Sequence, residues 1–171
     1  MSEVRAYRIC LIVDNPLRDI DGLVLLAWQL AQNGHTVYLT PMYDQGFDIL
    51  ALMPDMVVAN YARPNNIELL RRFHNTGIAV AILDTEGSPG RDMEKFAKMV
   101  GQTGIGEFAA LYCMWGQEQF AAFLAQGSVP ESVMSIPGCP RYDYCVAPLR
   151  QTLAAPEVSS DYILINTSFP I

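Results

Sequence analysis

The sequence predicts an α/β fold, three layers deep, around a mainly parallel sheet. Short apolar runs of strand length recur along the chain, as in Ile9–Val13 and Ala79–Leu83, and near-continuous apolar strands suit a sheet covered on both faces. Stretches with helical periodicity separate these runs, and a repeating strand–helix–strand order is what parallel sheets require. Polar residues collect just after the strands, at the edge where open parallel sheets bind ligands.

Tyr7–Asp14 reads as the first strand, followed by a polar turn over Asn15–Asp21 that holds Pro16. Gly22–Asn33 reads as a helix. Leu23, Leu26, Ala27, Leu30 and Ala31 recur at the spacing of one helical face. Asp19 or Asp21 suits its start and Gly34 its end. His35–Pro41 is the second strand, Phe47–Met53 a short helix and Met56–Tyr61 the third strand. Pro64–Asn75 is the next helix, with Pro64 where a first-turn proline is tolerated. Ile78–Asp84 is the fourth strand and Arg91–Val100 a helix. Ala110–Trp115, Gln117–Gln126 and Val133–Ile136 complete a further strand, helix and strand. Tyr144–Leu153 has helical composition interrupted by Pro148, and Tyr162–Asn166 begins one more strand.

The 171 residues suit one domain with a sizeable core; 51% are apolar and 17% charged, so the chain folds. The formal charge of −7 argues against nucleic-acid phosphates or a broad anionic membrane face as partners. No apolar run is long enough to span a bilayer, and Met1–Arg8 lacks the apolar core of a signal peptide. A cytoplasmic protein is the expectation, at most peripheral to the inner face of the membrane. Cys10 and Cys113 lie in apolar strand runs, and Cys139 and Cys145 are too far apart for a CxxC knuckle; structural thiols are expected. No metal or cofactor is expected. Gly101, Gly104 and Gly106 follow a helix rather than a strand, so they lack the context of a dinucleotide loop.

Three post-strand loops converge on one edge. They carry Asp14, Asn15, Arg18 and Asp19; then Asn60, Arg63 and Asn66; then Asp84, Thr85, Glu86 and Gly87. Each residue also has a plain reading: Asp14 and Asp19 as helix caps, Asn65-Asn66 as turn residues, Arg18 and Arg63 as surface ion pairs. Asp84-Thr85-Glu86-Gly87 is harder to reduce this way, because a helix start needs one cap and not two carboxylates. A carboxylate shielded in a cleft has a raised pKa and can act as a general base. Glu86 is the first candidate and Asp84 the second. Arg18 and Arg63 suit an anionic group, since guanidinium forks match carboxylate and phosphate. Trp28 and Trp115 read first as packing residues. Pro137–Asp143 is a second distinctive segment, and its plain reading is a rigid turn held by Arg141 and Asp143.

Together, Val13–Gly22, Leu83–Gly87, Gly138–Asp143 and Tyr162–Thr167 resemble a family of bacterial surface carbohydrate biosynthesis proteins, and the likeness covers nearly the whole chain. The Gly-x-Pro-Arg-x-Asp turn is similar to one found in GT-B-type glycosyltransferases. The resemblance implies a Rossmann-like N-terminal, acceptor-side domain over 1–155. It implies a linker and the first strand of a C-terminal, donor-side domain over 156–171, with most of that second domain beyond Ile171. It implies transfer of a sugar from a nucleotide-sugar donor to a glycan or lipid-linked acceptor. Glu86 or Asp84 would act as base, with Asp14, Asn15, Arg18, Asp19, Asn60, Arg63, Asn66, Thr85 and Arg141 binding substrate. Two alternatives are a non-catalytic scaffold and a ligand-binding domain of flavodoxin-like or cobalamin type. Gly34-His35 and Pro54–Val58 fit the cobalamin pattern loosely, but the Asp-x-His-x-x-Gly ligand motif is absent. An apolar face left open by the second domain would favour a homodimer.

Overall fold

The computed structural model describes residues 5–87 and 92–152. Six strands form one sheet: β1 (Arg8–Val13), β2 (Thr36–Pro41), β3 (Met56–Ala59), β4 (Ala79–Ile82), β5 (Ala109–Cys113) and β6 (Met134–Ser135). Every neighbouring pair is parallel, in the order β2-β1-β3-β4-β5-β6. Five helices connect them: α1 (Pro16–Gln32), α2 (Gln45–Leu52), α3 (Ile67–Asn75), α4 (Met93–Gln102) and α5 (Gln117–Gln126). This is the expected Rossmann-like α/β domain.

The layering follows from chain direction. From β1 the chain steps outward to β2, then returns across β1 and advances through β3 to β6. Right-handed crossovers therefore put α1 on one face and the other four helices on the opposite face. The alternation of side chains along the strands matches. Cys10, Ile12, Val57, Ala59, Val80, Ile82 and Tyr112 pack with Ile49, Leu70, Phe73, Phe96 and Phe123 of α2–α5. Ile9, Leu11, Val13, Val58, Ala81, Leu83 and Cys113 pack beneath Leu23 of α1. The direction reverses between β1 and β3, so the loops at their carboxyl ends diverge and leave a crevice.

Three boundaries differ from expectation for physical reasons. α1 begins at Pro16 rather than Gly22, because the Asn15 side chain accepts the Leu17 N–H at 3.0 Å and Pro16 needs no donor partner in the first turn. Neither Asp19 nor Asp21 caps it. α3 begins at Ile67 rather than Pro64, because Asn66 folds the preceding loop into a turn, accepting from Arg63 N–H at 2.9 Å and donating to Tyr61 O at 2.8 Å. The expected helix over 144–153 is replaced by two 3₁₀ turns, Pro140–Cys145 and Leu149–Thr152, separated around Pro148. Ser88–Arg91, Leu153 and the strand expected at Tyr162–Asn166 lie outside the described residues. No described helix is long and apolar enough to cross a membrane.

Cys10, Cys113 and Cys139 are buried and Cys145 is exposed. Burial raises all three buried thiols above their ordinary pKa, Cys113 to about 11. Since the thiolate is the reactive form, we expect Ellman's reagent to titrate Cys145 alone, rapidly, in the native protein at mildly alkaline pH. The other three should react only on unfolding.

Candidate functional site

The site is built from the loops at the carboxyl ends of β1, β3 and β4. Capping by Asn15 starts α1 early enough to put Arg18 and Asp19 in its first turns, directly over the sheet edge. Asp19 is buried, and its carboxylate accepts from Arg18 Nε at 2.7 Å and from the Arg18 terminal nitrogen at 2.8 Å. This is the bidentate geometry that suits guanidinium to carboxylate. Asp19 also accepts the backbone N–H of Asn15 at 3.3 Å, which ties the helix start to itself. Arg18 reaches further, to Asp14 at 2.8 Å and Glu86 at 3.4 Å. The hydrogen bond to Asp19, foremost, and then that to Asp14 push the Arg18 pKa further up. One cation thus gathers three carboxylates from two loops.

The loop after β4 is held from below. Asp84 adopts a left-handed conformation, φ 53°, which aspartate tolerates better than most residues. The Asp84 carbonyl accepts Gly87 N–H at 2.9 Å, closing a turn, and the Trp115 indole N–H at 2.7 Å. Its carboxylate is fully buried and matched on both oxygens. Arg63 donates at 2.9 Å to one; the Tyr112 hydroxyl at 2.9 Å and Gln119 at 3.3 Å donate to the other. Arg63 also donates to Ala62 O and Gly87 O and lies 4.6 Å from the Phe96 ring centre. Burial raises the Asp84 pKa, with the Arg63 charge pulling back. Burial likewise holds the Tyr112 phenol well above its usual range, so it stays a donor.

The Gly138–Asp143 segment closes the third side. Gly22 of α1 faces its backbone so closely that a Cβ would stand 2.5 Å from Arg141 N. Glycine is required there by contact, not by backbone angle. Arg141 lies over the rings of Trp115 and Tyr142, 5.1 Å and 4.9 Å from their centres, and 3.9 Å from Asp19. The expected Arg141–Asp143 interaction is not formed, because the guanidinium turns inward toward these partners. Trp115 is not a core residue. It is half-buried at the strand-end face, and it packs on Gly87, where a Cβ would meet the ring at 3.0 Å.

Two buried polar atoms have no protein partner among the described residues: Asn60 Nδ2 and Thr85 Oγ1. They sit on adjacent strand ends, joined by the Thr85 N–H to Asn60 O hydrogen bond at 2.7 Å. Thr85 lines a cavity of about 10 Å³ with Asp19, Gly22 and Arg141, a size that admits one water molecule.

The candidate residues therefore separate into two layers. Asp14, Asn15, Arg18, Glu86 and Arg141 reach the surface, and Glu86 is exposed with a single ion-pair contact. Asp84, Arg63, Asp19, Asn60 and Thr85 lie beneath as a floor. Asn66 is spent on closing its own loop. Asp84 is fully buried with both carboxylate oxygens matched, and Arg63 is buried with three internal hydrogen bonds; of the two carboxylates, Glu86 is the reachable one. Tyr112, Gln119, Trp115 and Tyr142 complete the site and carry no local sequence signal for it, because each acts through a partner more than 25 positions away, apart from the Tyr142 contact with Arg141 next to it.

What the fold and site define is an α/β domain with a parallel sheet and a polar cluster at its switch point. No family model matches the chain, and no curated protein sequence matches it. Among solved structures, that of an ABC transporter solute binding protein from Mycobacterium smegmatis with bound glycerol is similar over 78% of this chain, at 15% identity and a TM-score of 0.40. The chain spans 56% of that protein.

Removing one partner of a buried ion pair strands the other. We expect Arg63→Met and Asp84→Ala each to cost about 3–5 kcal/mol in urea unfolding, and the double variant to cost clearly less than their sum. Gly22→Ala should destabilise by roughly 1–3 kcal/mol through overpacking against the Arg141 backbone, and thermal melts will show it.

Proposed function

We propose that this chain is the acceptor-side domain of a GT-B-type glycosyltransferase of bacterial surface polysaccharide biosynthesis. The observation that carries the reading is Glu86, a reachable carboxylate at the switch-point crevice, oriented by Arg18 and backed by a rigid turn. In this reading Glu86 takes the proton of an acceptor hydroxyl as that oxygen bonds to the anomeric carbon of the donor sugar. The nucleotide leaves with the electron pair of the broken bond. Asp14, Arg18 and Arg141 offer polar contacts to the acceptor, and Tyr142 offers an aromatic edge half-exposed beside them. Arg18 already faces three carboxylates, so the site favours a neutral, hydroxyl-rich acceptor over an anionic one. In this reading the nucleotide-sugar donor is held mainly by a second, donor-side domain.

Arg63 and Asp84 have a positioning role here. They fix the turn that presents Glu86 and do not touch substrate.

A ligand that binds only the folded state at about a hundred times its Kd stabilises by ~2.7 kcal/mol, which for a domain of this size raises Tm by roughly 5–10 °C. Neutral oligosaccharides should give such a shift and free nucleotides should not, and Glu86→Gln should abolish sugar transfer by the full-length enzyme without lowering the melting temperature of the free protein. Strong stabilisation by a nucleotide would put the donor site within this chain and overturn the assignment.

A further inference from the structure

Among the described residues, the face of the sheet that carries α1 is only partly covered. α1 is apolar on nearly every side from Leu23 to Trp28, yet Leu23 alone of that stretch is buried, while Val24 and Trp28 stand 46% and 55% exposed. A helix with apolar residues all round is normally enclosed. Beside it lies a cleft of about 680 Å³. Its floor is Val58, Ala81 and Leu111 of the central strands, one wall is Leu26 and Trp28, and the other is the 137–149 segment.

We infer that this cleft is a binding slot for the aliphatic chain of an amphiphilic ligand. Its volume falls within the range of small-molecule sites. A second copy of the chain would instead need roughly 800 Å² of matching surface from each partner, and this feature is a concave slot bounded by three walls. Its chemistry disfavours a polar occupant: among the described residues that line it there is no Lys or Arg, and Asp143 alone is charged. Its direction follows the strands. The slot runs from Ile9 and Met56, near the amino ends of their strands, to Leu83 and Pro140 at the carboxyl edge. Leu83 and Pro140 also line the small cavity that holds Thr85, Asp19 and Arg141. Apolar slot and polar cluster are therefore neighbours that share a wall at Leu83 and Pro140. The inference does not rest on the acceptor-side reading, because chain binding needs no transfer chemistry.

Trp28 provides the readout. The sequence has two tryptophans, and Trp28 lines the slot whereas Trp115 belongs to the polar cluster. Dibrominated stearate, titrated below its critical micelle concentration, should quench tryptophan emission saturably, and Trp28→Phe should lose most of that quenching. Competition by geranylgeranyl phosphate and by dodecyl maltoside separates isoprenyl from acyl-type chains and tests head-group tolerance. Ser135 is exposed at the rim, so Ser135→Phe adds bulk to the slot without displacing core. It should weaken binding roughly tenfold or more, since each excluded methylene costs roughly fourfold in affinity. Leu149→Asp at the opposite rim is the second variant should Ser135→Phe not fold, with circular dichroism checking both. Absence of saturable quenching, or equal quenching in both folded variants, overturns the proposal. So does a dimer in sedimentation that either variant dissociates, because a second copy would then fill the slot. Chain binding without sugar transfer by the complete enzyme would leave the slot standing and defeat the glycosyltransferase reading alone.

Discussion

The carboxyl edge of this domain depends on one buried ion pair, Arg63 with Asp84. The pair joins the loop after β3 to the turn after β4, and three further elements attach through Asp84: Tyr112 of β5, Gln119 of α5 and the Trp115 indole. Its value is not net electrostatic stabilisation. The Asp84 pKa is raised in the fold by burial, despite Arg63. A carboxyl whose folded pKa lies above its unfolded value contributes stability at low pH that is lost as pH rises through the folded pKa. Ionising this carboxyl therefore weighs against folding. What the pair provides is a single geometry, because any slip of the turn leaves a charge buried without a partner.

That constraint explains how an exposed glutamate comes to be well placed. Asp84 holds a left-handed backbone, Gly87 completes the turn under the Trp115 ring, and Glu86 is presented between them toward Arg18. On the other side, Asp19 performs a parallel role for α1. It orders Arg18 by a bidentate contact and lies near Arg141, so the first loop and the Gly138–Asp143 segment share one buried carboxylate. Gly22 allows the two backbones to meet. The polar cluster is thus two buried carboxylates, each with its own arginine, supporting a thin reachable layer above.

Much of the fold was legible in the sequence because helices pack on both sheet faces, which forces continuous apolar runs such as Ile9–Val13 and Ala79–Ile82. Gln117–Gln126 was legible to the residue, bounded by Gly116 and Gly127. The start of α1 was not, because the apolar periodicity begins only at Gly22 while Asn15 and Pro16 supply the actual nucleus. The convergence of Asp14, Arg18, Glu86 and Arg63 on one edge was legible from the rule that parallel sheets expose such loops together. The partition of Asp84 and Glu86 into floor and surface was not. Both are carboxylates two positions apart, and only tertiary contacts from Tyr112 and Gln119 separate them. Tyr142 was missed, and Trp115 was read first as packing, for the same reason: an aromatic on an apolar strand, or in a proline-rich turn, looks like packing until its partner is known.

The central claim is that the Arg63–Asp84 pair holds the turn that presents Glu86. Hydrogen exchange of the Trp115 indole N–H, followed by NMR in the wild type and in Arg63→Met, tests it most directly. The Trp115 proton, bonded to Asp84 O, should be protected in the wild type beside an unprotected Trp28. In Arg63→Met it should exchange nearly as fast as Trp28 while the amides of Leu11 and Ile12 remain protected. Undiminished Trp115 protection in a folded Arg63→Met would contradict the account, since the turn would then stand without the pair.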